Sequence, residues 1–337
     1  MGLLQTYRLR LARKRLRLRA WRKRRELRPL ADRTAAIRPG DILALVTFRD
    51  EAVRLPFFLR HYRDMGVDRF LMVDNGSSDG GPELLLDQPD VSLWTTGASY
   101  KRARFGMDWL NGLAMRHGTG HWCLFVDPDE LLVYPFCDTR PLRALTDWMD
   151  ASSIKMFAAM LLDMYPKGPV EEAHYRAGQD PLEVAPWFDA GNYMIRRNPR
   201  FGNLWIQGGP RARAFFADDP ARAPALNKIP LVRWDRGMAY ASSTHMLLPR
   251  GLNLTYDEWG GEKASGILLH TKFLHSFAAK AEEEIARRQH YAGSREYRAY
   301  AEGAAGGGTD LWCPWSERFI NWRQLEILGL MSKGNWA

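Results

Sequence analysis

Four short apolar runs constrain this chain more than any other feature: Ile42–Phe48, Arg69–Val73, Val91–Thr95 and Trp122–Val126. Runs of this length with little polar alternation suit strands buried on both faces, as in a parallel sheet. Between them, Leu55–Met65 has helical periodicity with Gly66 just past its end, and Glu83–Leu86 and Arg102–Arg116 also read as helices. Strands that alternate with helices predict an α/β fold: a mostly parallel, twisted sheet with helices on both faces and a Rossmann-like nucleotide-binding half. Ligands of such sheets bind beyond the carboxyl ends of the strands. Those ends here carry Arg49-Asp50-Glu51, then Asp74 at the head of a turn-rich segment running to Gly80, then Asp127 and Asp129.

After residue 150 the pattern loosens. Ile154–Leu162 and Ile267–Phe273 read as further strands, while 163–235 is rich in Pro, Gly and aromatics and has no clear period. Ser276–Tyr291 reads as a helix with Glu283/Arg287 and Glu284/Arg288 at i,i+4, and a glycine-rich break at Gly303–Gly308 precedes a Trp-rich tail. The expected organisation is a basic arm (1–38), a main domain (39–275) and a C-terminal helical and Trp-rich extension (276–337). With 46% hydrophobic and 26% charged residues, wholesale disorder is excluded. No apolar run approaches the roughly 18 residues of a membrane span. Three cysteines, Cys123, Cys137 and Cys313, do not make a disulfide framework, and a reducing cytoplasmic location is expected.

The net charge of +9 is unevenly spread. Residues 1–28 hold twelve Lys/Arg and one acid, Glu26, a balance of +11, which leaves −2 for the rest. Wound as a helix, the arm sets Leu4, Tyr7, Leu11, Leu18 and Trp21 on one face and Leu9, Leu16 and Leu27 on roughly the opposite one. A solvated or partner-docked tail is one reading. Nucleic-acid binding is another, but no recognised nucleic-acid-binding signature follows, so no specific nucleic-acid partner is expected. The reading preferred here is attachment to an anionic membrane surface, with the protein peripheral on its inner face and catalysis residing wholly in 39–275.

Asp127-Pro-Asp-Glu130 follows the fourth apolar run. In extended chain, residues i and i+2 share a face, so Asp127 and Asp129 can converge on one point. Two carboxylates that close repel unless a cation joins them, and hard oxygen ligands suit Mg²⁺ or Mn²⁺. Arg104, on the preceding helix, is a candidate for a further positive charge. The glycines at Gly208-Gly209, with Arg211, are candidates for a loop that approaches a ligand closely.

Thr47–Glu51, His61-Tyr62, Gly66-Val67-Asp68, Asp74–Gly80 and Trp122–Glu130, in that order, resemble the family 2 glycosyltransferases. The branch ending its strand in Asp-x-Asp-Glu, similar to family 92, is the nearest. The resemblance continues through Gly208–Arg211, Lys228–Leu231 and Leu269–Lys272. It implies a GT-A fold and transfer, with inversion, of a sugar from a nucleotide-diphosphate donor (a UDP-sugar is favoured) to a surface glycan or glycolipid. It further implies that Thr47 and Glu51 hold the nucleoside, Asp74 the base, and Asp127 and Asp129 the ribose and metal, with His270 on the same metal and His245 as second choice. Arg49-Asp50 departs from the family's usual Asn before the Glu. Inverting transfer needs a carboxylate base, for which Asp163 and Asp257 lead, followed by Asp235 and Glu258.

Two rivals were weighed. Sugar nucleotidyltransferases share the sheet type but carry a glycine-rich basic loop after the first strand, where this chain has Thr47-Phe-Arg-Asp-Glu51. A non-catalytic, membrane-docked carbohydrate-binding protein would have little need for Asp127, Asp129 and His270 together.

Overall fold

The computed structural model describes residues 2–256, 263–275 and 309–336. In chain order its main elements are α1 (Leu3–Lys23), β1 (Arg28–Ala31), β2 (Ile42–Phe48), α2 (Leu55–Met65), β3 (Arg69–Asp74), α3 (Gly81–Leu86), β4 (Val91–Thr95), α4 (Met107–Leu113), β5 (Trp122–Phe125), β6 (Glu130–Val133) and α5 (Leu142–Ala151). There follow β7 (Met156–Asp163), α6 (Pro181–Val184), β8 (Trp187–Asp189), β9 (Tyr193–Arg197), β10 (Leu204–Gly208), α7 (Gly209–Phe215) and β11 (Asn227–Arg233). β12 (Ala239–Ser242), β13 (Met246–Leu248), β14 (Ser265–His270), β15 (Ser316–Arg318) and α8 (Trp322–Ile327) complete the order. The helix expected over Ser276–Tyr291 and the break at Gly303–Gly308 lie outside the described residues.

The fold is α/β, as the strand–helix alternation predicts. Its centre is a sheet in the order β1-β4-β3-β2-β5-β11-β7-β14-β6. The run β4-β3-β2-β5 is parallel throughout, as the alternation of strands and helices predicts for this half. β11 then enters antiparallel between β5 and β7, β14 returns parallel to β7, and β6 closes the far edge antiparallel.

β2 shows why this half is so apolar. Ile42, Ala44, Val46 and Phe48 face a core built with α2 and α5, while Leu43 and Leu45 face a second core built with α4. Period-two alternation thus feeds two buried layers, one under helices on each face. α2 ends where expected, at Gly66, whose φ of 102° serves the left-handed C-cap. Asp68 then accepts a hydrogen bond from the Ile42 N–H at 2.8 Å, fixing the loop to the start of β2. The helix expected over Arg102–Arg116 begins only at Met107, because Arg104, Phe105 and Gly106 all have positive φ.

The arm is part of the body rather than a tail beside it. The α1 face bearing Leu9, Leu16 and Ala20 packs inward: Leu9 joins Phe201, Met246 and Leu248, and the Ala20 carbonyl stands 3.2 Å from where a Cβ on Gly112 would fall. Arg19 donates to the fully buried Asp108 at 2.8 Å, and the Trp109 indole donates to Glu26 at 2.9 Å. Burial pushes the Asp108 carboxyl up, and Arg19 opposes that shift. β1 adds an edge strand to β4. The arm thus makes direct contacts with α4 of the main domain. The C-terminal segment is equally integrated, since β15 pairs with β8 and Trp322 and Trp336 enter the main core.

Arg19→Ala leaves the buried Asp108 with Arg104, 3.6 Å away, and the more distant Lys23 as cationic neighbours among the described residues. A loss of about 1–3 kcal/mol is expected for such a group. Urea unfolding should show a lower midpoint at unchanged slope; an unchanged midpoint would mean that α1 contributes nothing to α4.

Candidate active site

The sheet order brings polar residues from seven strands to one edge. The carboxyl ends of β2, β3 and β5 deliver Thr47, Asp74 and, just past β5, Asp127. Because β11 runs the other way, its first residues, Asn227 and Lys228, reach the same edge. In β14, His270 pairs in register with Asp163 of β7 on one side and with Glu130 of β6 on the other.

The result is a row of ionic contacts. Arg211 Nε donates to Asp163 Oδ2 at 2.7 Å, Asp163 Oδ1 meets His270 Nδ1 at 2.7 Å, and His270 Nε2 lies 3.2 Å from Asp129 Oδ2. Burial disfavours the charge on His270, but Asp129 and then Asp163 outweigh it and raise its pKa to about 9. Asp129 and Asp163 shift the other way. Burial would raise both, yet His270 holds Asp129 well below the usual carboxylate range, and Arg211 with His270 lowers Asp163. The Asp129 carbonyl is clamped by the Thr271 N–H at 2.8 Å and the Thr271 hydroxyl at 3.1 Å.

A second ionic group lies beside it. The buried Lys228 ammonium bonds Glu130 Oε1 and stands 3.4 Å from Asp127 Oδ2, while Glu130 Oε2 accepts from the Asp127 N–H at 3.2 Å. Burial disfavours the Lys228 charge, but Glu130 and Asp127 hold it firmly protonated. Burial also pushes the Glu130 carboxyl up to about 7, against the pull of Lys228. Tyr62, from the His61-Tyr62 motif, donates to the Glu130 carbonyl at 2.7 Å and accepts from the Leu132 N–H at 3.1 Å, so α2 braces this strand.

A cavity opens beside these groups, with about 340 Å³ of empty space including open solvent. Tyr100, Phe105, Met107, Leu110 and Phe125 give it an apolar wall, and Thr47, Asp127, Glu130, Lys228, Ser243 and Thr244 supply polar groups. The hydroxyls of Thr47 and Thr244 are buried without a hydrogen-bond partner among the described residues. Each such orphan costs about 1–3 kcal/mol, which a polar ligand could offset. Gly106 makes the wall possible, since its φ is 76° and a Cβ there would come within 2.8 Å of Thr47 Oγ1.

Of the sequence candidates, Thr47 and Asp127 line the cavity, and Asp129 and His270 meet beside it. The others have different work. Glu51 pairs with the buried Arg54 at 2.8 Å. Asp74 accepts from the Ser77 N–H at 2.8 Å and the Thr95 hydroxyl at 2.7 Å, holding its turn against β4. Arg104 donates to the Tyr240 and Ala241 carbonyls and so ties α4 to β12. Gly208 and Gly209 serve packing: a Cβ on Gly208 would fall 2.1 Å from the Asn192 carbonyl oxygen, and one on Gly209 3.2 Å from the Tyr193 ring. Arg211 reaches the site through Asp163.

Asp163 has one carboxylate oxygen held by Arg211 and the other by His270. Asp235 lies past the far end of β11 and caps the Gly237 N–H. Asp257 and Glu258 lie outside the described residues. His245 is anchored on the Asn227 carbonyl at 2.6 Å. Trp234 is buried in the core, and Trp205 packs beside α1.

Lys228 is a site residue to which sequence reasoning gave no role, although Lys228–Leu231 is among the resembling motifs.

Among the described residues, no three His, Cys, Asp or Glu side chains are disposed to hold a metal by themselves. Asp127, expected as a ligand, is engaged with Lys228 instead. Asp129 and His270 nevertheless form a two-residue seat. Asp163 anchors Nδ1 and aims Nε2 at a carboxylate, the arrangement that orients metal-binding histidines. Mg²⁺ and Mn²⁺ commonly take few protein ligands and fill the remainder with water and phosphate oxygens.

No family model matches the sequence, and no curated protein matches it. Solved structures do. A mannosyltransferase from Pyrobaculum calidifontis, in complex with GDP-Man and Mn²⁺, is 15% identical, with 90% of this chain and 81% of that one covered and a TM-score of 0.30. A glucose-1-phosphate thymidylyltransferase from Bacillus anthracis is 8% identical, with 86% and 95% covered and a TM-score of 0.30. A 4-diphosphocytidyl-2C-methyl-D-erythritol synthase is 16% identical, with 42% and 68% covered and a TM-score of 0.24. Scores this low carry no argument, and the functional reading rests on the chain's own residues.

Lys228→Met strands Glu130 beside two aspartates and is expected to cost about 3–5 kcal/mol. Lys228→Met/Glu130→Gln should recover most of that, as a double-mutant cycle in urea would show. A carboxyl raised on folding favours the folded state below its ordinary pKa of 4.5 and loses that benefit as pH climbs through its folded value, about 7 in the native protein. The single variant's deficit should therefore shrink as pH falls from 7 to 4.5; a constant deficit would remove Glu130 as the cause.

Proposed function

We propose that this chain is a metal-dependent, inverting glycosyltransferase that moves a sugar from a nucleoside-diphosphate donor, with a UDP-sugar favoured, to a surface glycan or glycolipid. The observation that carries the reading is the Asp129–His270 pair beside a half-apolar cavity containing two orphan hydroxyls. A nucleoside offers both things the cavity lacks: a flat base for Tyr100 and Phe105, and hydroxyl and carbonyl groups for Thr47 and Thr244. Asp127, half-exposed and steadied by Lys228, is suited to accept hydrogen bonds from a ribose. The order of motifs resembling family 2 enzymes supports the same reading.

In this scheme Asp129 and His270 would hold Mn²⁺ or Mg²⁺. Such a cation supplies charge neutralisation for a departing diphosphate. The chain's own part is orientation. Asp163 fixes the His270 ring, Arg211 fixes Asp163, and Thr271 fixes the Asp129 backbone. His270 must give up a proton to bind a cation, so uptake of Mn²⁺ at pH 7.5 should release one. The basic arm is proposed to dock the enzyme, peripherally, on an anionic membrane beside its acceptor.

Asp129→Asn should keep the fold and lower Mn²⁺-dependent hydrolysis of a nucleotide sugar, measured without acceptor, by roughly a hundredfold or more. Turnover equal to the native protein would dismiss the Asp129 seat. Thr47→Val should leave unfolding unchanged or slightly harder, since it removes an unpartnered hydroxyl, while weakening nucleotide affinity about tenfold. Calorimetry would show whether affinity and stability separate in this way.

A further inference from the structure

α1 has two faces, and only one is used by the fold. Leu9, Leu16 and Ala20 face the body, while Leu4, Tyr7, Leu18 and Trp21 on the opposite side are exposed, Leu4 at 77% and Trp21 at 43%. Arg8, Arg15 and Arg22 flank that outer stripe along one border, and Arg10, Lys14 and Arg17 along the other. An apolar stripe between two basic borders is the pattern of a helix lying in a membrane interface. Docking on the body prevents the helix from turning its stripe inward.

The β9–β10 hairpin stands against the same helix. Its connecting loop is fastened to the first half of α1: Gln5 donates to the Pro199 carbonyl at 3.4 Å, and Phe201 packs on Leu9. Arg250 donates to the Arg200 carbonyl at 3.2 Å and holds the loop from behind. Residues 191–208 contain Arg196, Arg197 and Arg200 and no acid, and Ile195 is 60% exposed. Outside this hairpin and residues 1–28, the chain has 33 basic and 38 acidic residues, a balance of −5. The hairpin is thus a basic island in an acidic remainder, and it adjoins the arm.

We propose that the outer face of α1 and the β9–β10 hairpin form one composite surface for an anionic lipid bilayer. This rests on the membrane reading above and specifies its footprint. Charge complementarity selects the occupant, and the exposed Leu, Tyr, Trp and Ile side chains add an interfacial, apolar part that a soluble polyanion would not engage. The hairpin continues through Gly208 directly into α7, whose Arg211 supports Asp163 and His270. A bilayer held there would lie one element away from the proposed catalytic pair.

The test is sedimentation of the full chain with vesicles of phosphatidylcholine alone or with 30% phosphatidylglycerol (~0.1 M salt, where exposed charges are screened beyond about 10 Å). The native protein should prefer the anionic vesicles. Arg196→Ser/Arg200→Ser should bind them roughly tenfold more weakly, with an unchanged melting temperature and unchanged hydrolysis of a soluble donor. Trp21→Ala/Leu18→Ala should lose the binding that persists at high salt. Native-like binding by the hairpin variant would overturn the composite surface while leaving attachment through the arm intact. No preference for anionic vesicles by the native protein, or a stronger preference for single-stranded RNA in competition, would overturn both.

Discussion

Arg211, Asp163, His270 and Asp129 form a line of alternating charge across the ends of β7 and β14, and the site depends on it. Removing charges from water is expensive unless each finds a partner in good geometry. Here a strand register supplies that geometry: His270 lies opposite Asp163 in a parallel pair, and the next residue, Thr271, clamps the backbone of Asp129. A one-residue slip of β14 would turn His270 to the other face of the sheet and leave both aspartates without it. The register is held by the apolar residues below, Ile267 to Leu269, packed in the main core. The core therefore specifies the alignment, and the alignment sets the electrostatics.

Lys228, Glu130 and Asp127 make the second group, and the two groups explain why a four-residue segment needs three acids. Each acid has a separate cationic partner or role. Asp127 faces Lys228 and the cavity, Asp129 faces His270, and Glu130 turns inward to neutralise Lys228 and cap the Asp127 N–H. Sequence alternation brings Asp127 and Asp129 close in the chain, but the turn that starts β6 separates their partners. The cavity is completed from a distance by α4 and by the segment joining β12 to β13, and α1 lies behind both. The basic arm and the cavity are thus two sides of one packing unit.

Much of this was legible from residues alone, for identifiable reasons. The strands β2 to β5 were clear because burial on both faces leaves an unbroken apolar run, and Thr47, Asp127, Asp129 and His270 stand out as polar residues at the ends of such runs. The inner and outer faces of α1 were also visible, although their assignment was not: Leu9 and Leu16 could be recognised as inward only once Phe201 and Leu248 were seen to receive them. Lys228 was hidden because its charge is meaningful only when an antiparallel strand brings it to Glu130, nearly a hundred residues away. The late start of α4 was hidden as well. Arg104 and Phe105 have ordinary helical propensity, and their left-handed backbone is fixed by tertiary contacts, including the bond from Arg104 to the Tyr240 carbonyl. Asp163 illustrates the converse, since a carboxylate at a strand end gives no sign in the sequence that both its oxygens are engaged.

The central claim, that Asp129 and His270 together hold a divalent cation beside a nucleotide, is tested most directly by crystals grown with UDP and Mn²⁺ and measured at the manganese absorption edge. The account predicts an anomalous peak bonded to the Asp129 carboxylate and to His270 Nε2, with the nucleoside in the cavity and hydrogen bonds to the Thr47 and Thr244 hydroxyls. A bound nucleotide with no peak at that position, and with Asp129 and His270 still in direct contact, would contradict it.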